Sequence, residues 1–234
     1  MNNRHKTFRA CHAGVCAMRH CAKAWPTTHS GRRWYSTHPR LRACFEARSR
    51  PSWRTPFGVV GPALQGMEQW CEVLILHLNV KTCRGQGNGA ASTLSLSVGR
   101  KFDQPPGEAF QTDFAYRVVA SLADYLQVAL AAAAGPLDTK DYRTGFEVTA
   151  LDATTTFVHL SYADACGMAA KIAMAAYLGT IGHDKVGFSI VGQGSNGAPV
   201  YLADMRGAVE RNTMRDYLAV GVHSLKSYSM ISGA

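Results

Sequence analysis

Apolar residues recur along this chain with two periods, and the periods lay out its elements. Thr93–Val98 reads Thr-Leu-Ser-Leu-Ser-Val, apolar at every second position, which predicts a strand with one buried face. Residues 73–80 predict another, with Leu74, Leu76, Leu78 and Val80 on one face and Ile75 opposite. Phe114, Val118, Leu122, Leu126 and Leu130 stand four apart, with Val119, Tyr125 and Ala129 beside them. Thr112 offers an N-cap, Asp113 an acid in the first turn and Gly135-Pro136 a stop, so the pattern predicts a long helix. Residues 146–151 and 154–160 are β-prone and predict a hairpin around Asp152-Ala153. Ser161 and Asp164 have the spacing of a capping box. Ala165, Met168, Ala169, Ile172, Ala173, Ala176 and Tyr177 follow at helical spacing, predicting a second helix that Gly179 and Gly182 close.

The stretch 186–224 has the clearest local logic. Residues 186–191 form an apolar run, residues 192–199 hold three glycines, a Ser-Asn pair and a proline, and residues 200–203 resume as strand. The reading is an antiparallel hairpin, then a second turn with Gly207 free to take positive φ. A third strand over 217–220 ends at Gly221, before Ser224 as a helix N-cap. Gly192-Gln193-Gly194-Ser195-Asn196-Gly197 satisfies the G-x-G-x-x-G string of dinucleotide sites. That fingerprint needs a helix to open at once, so that its N-terminus holds the pyrophosphate. Ala198-Pro199-Val200-Tyr201 follows instead, which is strand-like, so the string reads as a hairpin turn. No Gly-Lys-Ser/Thr follows, which excludes a P-loop.

In order, the stretch presents Gly192, Gly197, Tyr201, Asp204 and Gly207, then the run from Tyr217 through Gly221 to Ser224. This ordered set resembles a proteasome subunit of the beta type, and Asp113-Phe114-Ala115-Tyr116 looks like the start of that family's first helix. The resemblance covers about residues 93–224. It departs at Gly194, where members often carry aspartate, and at His223, which replaces a glycine. It implies an α+β fold, a four-layer α-β-β-α sandwich of two antiparallel sheets, incomplete at both ends. Residues 137–160 would be an insertion between the two family helices. Active members of the family attack peptides with an N-terminal threonine. Here the one Gly-Thr pair, Gly179-Thr180, falls after both predicted helices, and Asp103 is the only aspartate between Met67 and Gly107. No catalytic residue is carried over, and Gly192, Gly197, Tyr201, Asp204, Gly207, Gly221 and Ser224 are expected to be structural. The implied role is a non-catalytic structural subunit of the 20S core, serving beta-ring assembly and protein degradation in cytoplasm and nucleus. Its partners would be the other proteasome alpha and beta subunits, with no cofactor. Residues 160–208 also resemble haem-binding proteins of the glycolate-operon type, which implies instead a small ligand-binding or haem-binding sensor module.

Charge divides the chain. Residues 1–66 carry twelve Lys/Arg and one acid, net +11, while the remainder is −2, together the chain's +9. A basic chain suggests nucleic acid or anionic membrane, but the body is near neutral, so neither partner is expected. The head nearly lacks Leu, Ile and Val before Phe57 and cannot offset the entropy of ordering. The expectation is a basic extension over 1–66, or sequence upstream of a true start at Met67, and a globular domain over 67–234. The Arg-rich, acid-poor head also suits a mitochondrial transit peptide. No run of ~18 apolar residues exists to span a membrane. Cys11, Cys16, Cys21 and Cys44 share the head with five histidines, but the five-residue spacing of the first three is not that of a zinc site, and no metal is expected. Cys71, Cys83 and Cys166 are scattered, the pattern of a reducing compartment without disulfides. His159, His183 and His223 build no triad with a nearby Ser or Cys.

Overall fold

The computed structural model describes residues 52–232 together with two short strands ahead of them, β1 (Trp34–Tyr35) and β2 (Phe45–Ser49). After β3 (Ser52–Trp53) come helices α1 (Phe57–Gln65) and α2 (Met67–Leu74). Six strands follow: β4 (Val80–Gln86), β5 (Thr93–Val98), β6 (Phe110–Leu122), β7 (Tyr125–Ala134), β8 (Thr139–Ala150) and β9 (Thr156–Cys166). Helix α3 (Met168–Gly179), a hairpin of β10 (Ile190–Gln193) and β11 (Pro199–Tyr201), and the long helix α4 (Asp204–Ser232) complete the described residues.

Strands β4 to β9 form a meander in which each pairs antiparallel with the next. Beyond β9 the sheet continues through β2 to β1, with β3 also on β9, giving nine strands. The chain therefore lays β2 on one side of the sheet, crosses through α1 and α2, and returns at the opposite edge with β4. The expected α+β class with two antiparallel sheets is what the structure has, the second sheet being the β10–β11 hairpin.

One core joins helices to sheet. Val60 and Leu64 of α1 are wholly buried, and Trp70 and Val73 of α2 nearly so. They pack with Val128, Phe146, Val148, Val158 and Leu160 of the sheet and with Met214, Tyr217 and Val220 of α4. Each such aliphatic side chain contributes about 1.5–3 kcal/mol. Trp70 sets its ring edge-on to Phe146 at 5.3 Å, and its indole N–H donates to the Leu64 carbonyl at 2.8 Å, so its polar atom is not stranded. Helix α1 lies on the N-terminal side of the boundary expected at residue 66. The transit-peptide reading and the head's cysteines and histidines fall outside the described residues. A disulfide joins Cys71 of α2 to Cys83 of β4, with Cα atoms 5.3 Å apart, which corrects the expectation of free cysteines.

Several predicted elements change type. The long helix over 112–134 is the β6–β7 hairpin, closed by a two-residue turn at Ala123-Asp124. The reason is arithmetic: residues four apart share a helix face, but four is also twice two, so Phe114, Val118, Leu126 and Leu130 equally share one face of a strand. Thr112, Tyr116, Val128 and Ala132 are buried too, at the even positions that separate the two patterns. The second helix begins only at Met168. Ser161 and Asp164 sit in β9, where Ser161 Oγ donates to the Gly145 carbonyl across the ladder at 3.3 Å. Residues 73–80 end α2 and turn into β4, leaving Leu76 and Leu78 exposed. The hairpin around Asp152-Ala153 is present as the β8–β9 turn, and it forms the middle of the sheet rather than an insertion.

These differences overturn the resemblance to a beta-type proteasome subunit. Its first helix is a pair of strands, and most of the capping-box end of its second lies in β9. Its closing strand at 217–220 and the helix start at Ser224 both lie inside the 29-residue α4.

Candidate functional site

The residues that carried the sequence motif do not converge. Gly192 pairs with Val200 and Ile190 with Tyr201 in a hairpin whose strand residues are all exposed. Gly197 takes φ +75°, and Asn196 Oδ1 accepts from the Ala198 N–H at 3.0 Å, a turn with no helix springing from it. Asp204 opens α4 with φ 59°. Gly207, one turn in, has no room for a side chain: a Cβ would meet the Leu202 carbonyl and stand 2.8 Å from the Gly187 nitrogen. A Cβ on Gly221 would stand 3.7 Å from the Trp53 indole, an ordinary contact, and Ser224 Oγ donates back to the Val220 carbonyl at 2.9 Å in mid-helix. These roles are structural, spread over a hairpin and one helix.

The concave feature lies elsewhere. Period-two alternation on β5 to β9 directs Leu96, Val98, Thr112, Phe114, Leu130, Tyr142, Thr144, Leu160 and Tyr162 to one face of the sheet. Helix α2 covers part of that face with Trp70, Val73 and Leu74, and His77 follows in the turn after it. Helix α4 covers more of it with Asn212, Asp216 and Val220, spaced four apart and so on one face, and with Thr213. Between them is a cavity of about 170 Å³. That is comparable to the ~150 Å³ dry cavities that admit benzene or xenon.

The walls are mainly apolar, with one polar corner. Tyr142 and Tyr162 meet with ring centroids 6.3 Å apart, and Phe114 stands edge-on to Tyr142 at 5.9 Å. The Tyr142 hydroxyl shares a hydrogen bond with Thr139 Oγ1. Burial, reinforced by Asp164, Tyr142 and Asp216, holds the Tyr162 phenol well above the ordinary tyrosine range, so it remains a proton donor. Asp216 is half-buried and lines the cavity; burial pushes its carboxyl up to about 7, against the opposing pull of Arg215. Near neutral pH it is divided between acid and carboxylate, able to donate or accept. Asp164, the next inward position on β9 after Tyr162, is buried with Oδ1 unbonded, and burial pushes it up to about 6. His77 is held down to about 4 by burial and by the charges of Arg215 and Lys101, so it is neutral at pH 7. Its Nδ1 accepts from the Asn79 N–H at 3.3 Å.

The arrangement can enclose a small apolar body, donate to it from Tyr162, and exchange a proton with it at Asp216. No cluster of three His, Cys, Asp or Glu able to hold a metal occurs among the described residues. Sequence reasoning missed these residues because it assigned Phe114, Leu130 and Tyr162 to helices. The available signal was a polar residue at an inward strand position, as at Tyr162 and Asp164, since buried acids and phenols are uncommon without a purpose.

No protein-family profile and no curated protein sequence matches the chain. Solved structures resemble its backbone. A conserved protein from Geobacillus kaustophilus aligns at 9% identity over 78% of this chain and 97% of its own, with TM-score 0.47. An aromatase/cyclase from Streptomyces sp. R1128 aligns at 10% identity over 80% and 94%, with TM-score 0.43. A START superfamily protein from Mycobacterium smegmatis aligns at 10% identity over 59% and 94%, with TM-score 0.40. The topology described above corrects the expected role in beta-ring assembly and protein degradation, and with it the expected partners, the proteasome alpha and beta subunits: the first family helix is the β6–β7 hairpin, and the closing strand lies inside α4.

Proposed function

We propose that this protein binds a small, mainly apolar molecule carrying a hydroxyl or similar polar group, held in the cavity between the sheet, α2 and α4. The observation that carries the reading is the cavity itself: about 170 Å³, walled by Trp70, Val73, Leu96, Phe114, Leu130 and Val220, with Tyr162 and Asp216 at one corner. Few, placed polar groups in an apolar hollow are the usual make-up of a ligand site. The volume fits one or two fused rings and not a porphyrin macrocycle. The small-ligand part of the alternative raised from sequence is therefore kept, and haem is not. Calorimetric titration with 2-naphthol tests this. Wild type is expected to bind it 1:1 and saturably. Leu130→Phe, which pushes a ring into the hollow, is expected to weaken binding at least tenfold while keeping a cooperative melt. Absence of saturable binding, or equal binding by the filled variant, would overturn the reading.

A further inference from the structure

Four cations cluster beside the cavity, none of them among its lining residues. Lys101, in the loop after β5, places Nζ 5.7 Å from the centre of the Tyr177 ring, and Lys185 places Nζ 4.9 Å from the same centre. Lys185 also donates to the Tyr177 hydroxyl. Arg215 of α4 donates to Asn212 Oδ1 at 3.1 Å, and Asn212 lines the cavity. Arg211, one turn earlier, donates to the Val186 carbonyl at 3.1 Å. None of the four forms an ion pair among the described residues. Nearby acids compensate them little: Glu210 accepts from the Phe188 and Ser189 N–H groups, Asp184 pairs with His183, and Asp216, beside Arg215, is divided between acid and carboxylate near neutral pH. The four are close enough to feel one another. The Lys101 ammonium is held below its ordinary value by burial and by Arg215, Lys185 and Arg211. The cluster reaches the cavity at His77, a lining residue exposed to the fields of Arg215 and Lys101.

Like charges assembled by three separate segments cost free energy unless something compensates them. Tyr177 holds two of them in place through its ring and hydroxyl, which is positioning rather than neutralisation. The segment bearing Tyr177 and Lys185 joins β9 to α4 and contributes nothing to the main sheet.

Resting on the small-molecule reading above, we infer that the ligand is an amphipathic anion: its ring system fills the cavity, and a carboxylate or phosphate emerges past His77 and Asn212 to be held by Lys101, Lys185 and Arg215. Charge-assisted bonds of this kind are stronger than neutral ones, and Arg supplies a planar fork for either oxyanion.

The test uses three probes of one shape: 2-naphthoate, 2-naphthamide and 2-naphthyl phosphate, titrated into the full chain at low and high salt. At low salt naphthoate or the phosphate is expected to bind at least tenfold tighter than the amide, and the ratio is expected to shrink as salt rises. Whichever anion binds tighter identifies carboxylate or phosphate as the native group. In the double variant Lys101→Gln, Arg215→Gln, the acid-to-amide ratio is expected to fall close to one. Lys185→Gln alone, remote from the core, is expected to lower it by a few-fold and guards against a folding defect in the double variant. Equal binding of all three probes overturns the inference while leaving the cavity reading intact. Anion preference that survives the double variant overturns it as well. Binding of none overturns the cavity reading, and the inference with it.

Discussion

Asp216 allows a quantitative test of the polar corner. Its carboxyl titrates near 3.8 when exposed and at about 7 in the folded protein, because burial disfavours the charged form. The folded state therefore holds the proton more tightly than the unfolded state. Stability from this group is fully present below pH 4, declines as pH rises through about 7, and is flat above. At about 1.4 kcal/mol per pH unit, the rise from 3.8 to about 7 sets the decline at up to about 4 kcal/mol. Asp216→Asn keeps the shape and removes the charge. It is expected to stabilise the protein by about 1 kcal/mol at pH 4.5 and by a few kcal/mol at pH 8, the upper bound being about 4 kcal/mol. Urea unfolding at pH 4.5, 6 and 8, with the midpoint and slope followed for both proteins, measures this. Asp164 falls in the same direction over a lower window, between about 4 and 6, and its slope is expected to remain in the variant. An Asp216→Asn protein less stable than wild type at pH 8, or one pH dependence shared by the two proteins, would refute the reasoning.

Three further outcomes follow from the packing. Reducing the Cys71–Cys83 disulfide, which closes a 12-residue separation, is expected to cost about 3 kcal/mol on chain-entropy grounds; an unchanged melting temperature in reductant would contradict it. Gly207→Ala forces a methyl group against the Gly187 nitrogen and the Leu202 carbonyl, and is expected to cost on the order of 1–3 kcal/mol, read as a lower melting temperature. Glu210 is buried, and its carboxylate accepts from two backbone N–H groups and from Ser189 Oγ at 2.6 Å. Glu210→Ala is expected to speed amide exchange at Phe188 and Ser189 by roughly tenfold or more, while the β7–β8 amides keep their protection.

Local pattern disclosed part of this structure. Strand β5 and the turn at Asp152-Ala153 follow from alternation and turn chemistry, and the β10–β11 hairpin follows from its glycines and proline. The α+β class followed as well. Topology did not, for two physical reasons. Apolar residues four apart fit both periods, and the alanines at 129 and 131–134 favour a helix in isolation while packing just as well in a strand. Tertiary pairing with β5 and β8 decides the matter, and no local window contains it. Helix α4 was hidden for the converse reason: Gly207 and Gly221 punctuate it like turns, yet each is a place where another segment passes close to the helix. The cavity needs residues from α2, α4 and strands β4 to β9, so it exists only once the sheet is assembled. Only Tyr162 and Asp164, polar in an inward register, hinted at it.

The central claim is that the hollow between sheet and helices is a ligand site, and the most direct measurement is a crystal of the protein grown with 4-iodophenol, read at the anomalous signal of iodine. The account predicts one dominant peak, among Trp70, Leu130 and Val220, with the phenol oxygen within hydrogen-bond distance of Tyr162 or Asp216. No peak there, or peaks confined to the outer surface, would contradict it.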